Sequence, residues 1–192
     1  MKNVGEIKFD TIVRQYQAIR KKHPDRHIDF CVQQKNLSDA IEVAAKAINE
    51  ENKIHGHQRR IGRIKLNAFA KLLRLKESEI KKATTFDKLL LIIKSVKSDR
   101  IADLTYYDTT TRIGAYLDLF PEKIYLHTGT RTGASYLFDK IKDRKFITVD
   151  ELPKEFLNHD LTASEFEDIL CIFKEYFKQR VMSTPLKKRF AC

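Results

Sequence analysis

Apolar residues recur at helical spacing along most of this chain. Over residues 5–22, Ile12, Tyr16 and Ile19 share one face, with Val13 beside them and charges between, which predicts an amphipathic helix. Residues 27–34 alternate briefly and read as a short strand or a loop. Asn36-Leu37-Ser38 opens the next helix, with Ser38 as N-cap and Ile41, Ala44, Ala45 and Ile48 as its stripe. Residues 51–59 lack periodicity and read as a loop. Helices are expected over 60–75, over 85–97 behind a Thr84/Asp87 capping pattern, and over 105–119, where Phe120-Pro121 ends the run. Residues 122–128 and 145–149 read as short extended pieces around a helix at 130–141. Helices at 150–158 and 162–180 close the pattern. The last is capped by Thr162 with Glu165, and Phe166, Ile169, Leu170, Phe173, Tyr176 and Phe177 form its core face.

The predicted fold class is therefore mainly α: a compact multi-helix domain containing a helical hairpin and a minor short-strand element. Only 6 Gly and 4 Pro are present, too few for the many tight turns of an all-β sandwich or barrel. A length of 192 residues suits a single domain, expected over 1–182, with a mobile basic tail over 183–192. The first ten residues carry no apolar core of a secretory signal, and the longest apolar run, Leu89–Ile93, is core-sized. Three scattered cysteines, with Cys31 and Cys171 in apolar surroundings, fit a reduced, cytoplasmic chain away from membranes.

Charge changes the picture. Residues 51–100 hold 14 Lys+Arg against 5 Asp+Glu, nearly all of the chain's formal net charge of +11. Winding residues 60–74 at about 100° per residue places Arg60, Arg63, Asn67, Lys71 and Arg74 within an arc of about 80°. Ile61, Leu66, Phe69, Leu72 and Leu73 spread over the other side, interrupted by Lys65, and no acid occurs from 60 to 74. A solvated helix face ordinarily mixes signs to gain i,i+4 pairs. A one-signed face repels itself unless a polyanion lies against it, so the expected partner is nucleic acid bound by its phosphates. The plainer reading is a solvated face that happens to be basic.

Within the segment that follows, Arg100-Ile101-Ala102-Asp103-Leu104-Thr105-Tyr106 lies along the pattern G-φ-G-x-x-T-A, behind an amphipathic first arm of Phe86, Leu89, Leu90 and Ile93. Residues 85–119 thus resemble the helix-hairpin-helix DNA-binding superfamily, with both hairpin glycines replaced, by Arg100 and Ala102. The resemblance implies a phosphate contact at the hairpin, with Arg100 supplying a side chain in place of a glycine's exposed backbone. Tyr107-Asp108-Thr109-Thr110-Thr111-Arg112-Ile113 is similar to the Val-Asp-Thr-x-x-x-Arg-Val stretch that carries the catalytic aspartate of hairpin-type DNA glycosylases. Arg112 stands one residue closer to Asp108 than in that pattern, and no catalytic lysine is placed by it. The plain alternative is an ordinary helical hairpin with a first-turn charge or an Asp108–Arg112 pair.

Two further stretches carry chemistry. His55 and His57 form an H-x-H pair that shares a face if the chain is extended, but no third ligand stands at metal spacing, so neither a metal nor a cofactor is expected. Residues 126–133 place Thr128, Gly129, Thr130, Arg131 and Gly133 at a helix start, where free N–H groups bind anions; simple capping and close packing is the competing explanation. The expected nucleic-acid contacts are Arg59, Arg60, Arg63, Lys71 and Arg74, with Arg100 and Arg131 as secondary ones. A second class of function is a small enzyme acting on a nucleic-acid or phosphorylated substrate, with His55, His57, Asp108 and Arg131 converging. A third is a module that docks an acidic protein on the same basic face. Oligomeric state is not encoded in any of these patterns.

Overall fold

A computed structural model describes residues 8–179; the basic tail expected over 183–192 lies outside them. The chain is mainly α, with eleven α-helices and one two-stranded sheet among the described residues. Where the sequence predicts one domain, the described chain groups into two compact units, one of residues 8–23 with 122–179 and one of 24–121.

The first unit begins with α1 (Phe9–Lys22), whose Phe9, Ile12, Val13 and Tyr16 are buried. Strands β1 (Lys123–Tyr125) and β2 (Phe146–Thr148) pair antiparallel, with Ile124 opposite Ile147 and both fully buried. Between them lies α8 (Thr128–Leu137). After β2, a 3₁₀ turn over Val149–Glu151 is closed by a Thr148/Glu151 capping box. Helices α9 (Lys154–Leu157), α10 (Ala163–Ile172) and α11 (Lys174–Gln179) follow. The expected Thr162/Glu165 capping box opens α10, but the single helix expected over 162–180 breaks at Phe173. These elements enclose one apolar cluster that includes Phe156, Phe166, Phe173 and Phe177. At its edge Asp168 accepts a hydrogen bond from Tyr16 Oη (2.9 Å) and forms an ion pair with Arg20.

The second unit starts with α2 (Arg26–Val32), where the sequence suggests a strand or loop. Asp25 caps it, accepting the N–H groups of His27 (3.0 Å) and Ile28 (3.2 Å), and that cap outweighs the brief alternation. In α3 (Leu37–Lys46) the cap is Asn36, whose side chain accepts from Asp39 N (2.9 Å), rather than Ser38. Helices α4 (Arg63–Arg74), α5 (Glu77–Lys81), α6 (Phe86–Ser95) and α7 (Asp103–Leu117) complete it. Thr85, not Thr84, caps α6, through Lys88 N (3.3 Å). Helix α7 packs against α2, α3 and α6. It is therefore buried on several sides and carries buried Thr105, Thr109, Thr110 and Arg112 among its apolar residues. Gly114 in α7 is needed for packing, because a Cβ there would stand 2.4 Å from the Leu119 carbonyl oxygen. No helix among the described residues is long and apolar enough to cross a membrane.

Candidate functional site

The site is built around the segment that the sequence leaves as a loop. Ile48 and Ile54 form an isolated antiparallel bridge, and the backbone N–H of His55 donates to the Ala47 carbonyl (2.8 Å). The chain then turns through a short 3₁₀ helix, Gly56–Gln58, whose start is capped by His55 Nδ1 accepting from His57 N at 3.4 Å. This turn packs on α7 and brings residues 55–58 to Asp108.

Asp108 Oδ2 accepts from His57 Nδ1 (2.8 Å) and from the side-chain amide of Gln58 (2.6 Å). The opposite end of that amide, Gln58 Oε1, accepts from the guanidinium of Arg112 (3.3 Å). Arg112 also donates to the Ala44 carbonyl (3.4 Å) and is 3% exposed. His55 lies edge-on to His57, with ring centroids 4.6 Å apart, and His27 lies edge-on to His55 at 4.8 Å. His27 Nε2 is bonded to the Lys53 carbonyl (3.1 Å). His57 Nε2 is buried and has no hydrogen-bond partner among the described residues.

The electrostatics of this network are set by burial and by one guanidinium. Burial pushes the pKa of His55 down to about 4, and the charges of Arg112 and His57 push the same way. Burial, then Arg112, also lowers that of His27. Burial works against the Asp108 carboxylate. The His57 hydrogen bond, the Arg112 charge and the Gln58 amide overcome it and hold its pKa below the ordinary value. Asp25 is likewise opposed by burial but held low by Arg112, by the N–H groups it caps and by His55. The Cys31 thiol, buried in the same unit, is pushed up to about 12 by burial, with Arg112 opposing, so it stays protonated. At neutral pH the network holds two carboxylates, one guanidinium, and neutral His27 and His55.

The basic surface is narrower than the sequence predicts. Arg59, Arg60 and Lys71 are exposed, and no ion pair engages them among the described residues. Arg74 is held by Glu42 (2.8 Å) and by Ser38 Oγ (3.1 Å). Arg63 donates to the side-chain oxygen (3.0 Å) and carbonyl (2.6 Å) of Asn52. Lys65 pairs with Asp99. Of the residues expected on the apolar side of α4, Leu72 is exposed, and Ile64 (84% exposed) stands on the basic side of the helix, with Leu75 (80%) exposed at its C-cap. Arg100 is exposed, with φ of +62°, a left-handed conformation at the position where the hairpin pattern has glycine. Ala102 is extended at the N-cap of α7.

Arg131 is occupied within its own unit, donating to the carbonyls of Leu126, Ile141, Lys142 and Arg144. It is a loop clamp, so of the four residues expected to converge, His55, His57 and Asp108 do so in the second unit while Arg131 is committed in the first. The start of α8 shows close packing but not the expected threonine cap: its N-cap is His127, without a side-chain cap hydrogen bond. Thr130 Oγ1 bonds the Glu167 carboxylate, and Thr132 Oγ1 donates to the Thr128 carbonyl (2.8 Å). A Cβ on Gly133 would stand 1.8 Å from the Leu170 carbonyl oxygen. A carboxylate against Thr130 repels an incoming phosphate. Sequence reasoning missed Gln58, His27, Asp25 and Arg112 as members of the buried network; the clustering of His and Asp near basic residues was the only signal available. A comparison of the chain with protein-family models, curated proteins and solved structures finds no match.

Proposed function

We propose that this chain binds nucleic acid through its phosphate backbone, with little sequence specificity, on the basic surface of residues 24–121. The observation that supports this most directly is the set of exposed cations Arg59, Arg60 and Lys71, left without a carboxylate inside the segment that holds 14 basic residues against 5 acidic ones. Arg63 has donors to spare beyond Asn52 and Arg100 stands exposed at the hairpin, so both extend the surface. Nothing on it resembles a helix that reads base edges, and backbone contacts position a duplex without specifying its sequence. The test is binding of labelled duplex and single-strand oligonucleotides across a salt series. Replacing Arg59, Arg60 and Lys71 by Ala should flatten the log–log salt slope by about 0.7–0.9 per lost contact. An affinity and slope identical to the parent chain would end this reading.

A second reading is favoured by one observation, the convergence of His57 and Asp108 beside Arg59 and Arg60. On it the chain acts chemically on the phosphodiester it holds, with Asp108 orienting His57, whose buried Nε2 has to be uncovered by substrate binding before it serves as a base. Loss of label from an end-labelled strand, abolished by Asp108→Asn, would support it; strands left intact by the parent chain would remove it.

A further inference from the structure

The histidines and the aspartate of the second unit have the makings of a metal site that the sequence does not mark. We propose that His55, His57 and Asp108 bind a divalent transition-metal ion of the Zn²⁺ type. One donor atom from each of the three residues lies within 4.8 Å of the other two. Bonds of about 2.0–2.1 Å in a tetrahedron place donors roughly 3.4 Å apart. His57 Nδ1 and Asp108 Oδ2 are already at 2.8 Å, so they open slightly while His55 closes in.

The two nitrogen donors and one oxygen select the ion. Two imidazoles and a carboxylate suit Zn²⁺ and its neighbours, whereas Mg²⁺ and Ca²⁺ prefer all-oxygen sites. Three protein ligands leave a fourth position open. The ion takes the place of the proton now shared between His57 Nδ1 and Asp108, and that proton leaves to solvent. The His57 ring is held at one nitrogen only, because Nε2 has no partner, so it turns without breaking a second hydrogen bond. The cap bond from His57 N to His55 Nδ1, at 3.4 Å, is at the long limit and gives way readily. Gln58, on Asp108, is placed to hold the carboxylate as an outer-shell partner. The charged and titratable groups facing the site are Asp25 and His27 from the start of α2 and Arg112 from α7. Arg112 opposes a cation, but Asp25 and Asp108 outnumber it, so a dication meets a net negative surround.

This inference stands whether or not nucleic acid is the partner. The test uses the full chain, stripped with chelator, titrated with Zn²⁺ against a chromophoric competitor and with Co²⁺ by visible absorption. The expected result is one ion per chain and the intense ligand-field bands of four-coordinate Co²⁺. His55→Gln, His57→Gln and Asp108→Asn should each weaken binding by about 10–100-fold or more, while His23→Gln outside the cluster leaves it unchanged. Should the variants fail to fold, ring ¹⁵N shifts of the parent chain decide the matter, with His55 and His57 expected to move on Zn²⁺ addition. No stoichiometric binding by the parent chain, binding untouched by the three substitutions, or shifts confined to other histidines would each overturn the proposal.

Discussion

His55 gives the clearest consequence at the scale of a single residue. Its folded pKa is about 4, whereas an unfolded imidazole titrates near about 6.5. Between those values the unfolded chain binds more protons than the folded one, so stability rises with pH across that window. The contribution is complete above about pH 6.5 and is lost as pH falls toward about 4, on the order of 3 kcal/mol. Denaturant unfolding in chelator at several pH values should show this slope, and His55→Asn should flatten it; an unchanged slope would refute the assignment. Arg112 is the second such residue. It lowers the pKa of Asp25 and Asp108 and bonds Gln58, and it and Gln58 are the buried members of a half-buried network. Arg112→Met would leave the partly exposed carboxylates of Asp25 and Asp108 without their countercharge and Gln58 Oε1 without its donor, at a cost of about 1–3 kcal/mol. Chemical denaturation measures it, and a loss below about 1 kcal/mol would show the network to be solvent-relaxed.

Among the elements, the tightest fit is between α8 and α10. Gly133→Ala drives a methyl to within 1.8 Å of the Leu170 carbonyl, and backbone cannot swing aside as a side chain would. The helices must separate, so a loss of about 3 kcal/mol or more is expected. A thermal shift within a degree of the parent would contradict the packing. The same element illustrates how far the sequence reaches. The cluster of threonines and glycines at 128–133 reads as a capped, closely packed helix start or as an anion loop, and its actual contacts come from Glu167 and Leu170, which arrive from another helix. Helix α2 was hidden for a related reason: seven residues give little periodicity, and Asp25 capping was the decisive local signal. By contrast, α10 carries a capping box and a full apolar stripe, and both are legible in order along the chain.

At the scale of the whole molecule, the large aromatic cluster belongs entirely to residues 8–23 and 122–179, and residues 24–121 bury apolar side chains of their own, among them Ile41, Leu66, Phe69 and Leu73. A fragment of residues 24–121 is therefore expected to be helical by circular dichroism and to unfold cooperatively in isolation. A fragment that lacks a cooperative transition would show that its fold depends on the remainder. The same fragment carries Arg59, Arg60 and Lys71, so it should retain the salt-dependent binding of the full chain.

Local patterns in the sequence determined the mainly α class, most helices, the two short strands and the segregation of positive charge, because periodicity, capping and net charge are properties of neighbouring residues. Tertiary structure alone decided which cations stay unpaired, since Glu42 and Asn52 reach Arg74 and Arg63 from outside their helix. It also decided that Asp108 meets His55 and His57 across some fifty residues of chain. A donor set assembled by packing leaves no metal spacing to read, which is why the sequence names His55, His57 and Asp108 as candidates while only the fold brings them together without Arg131.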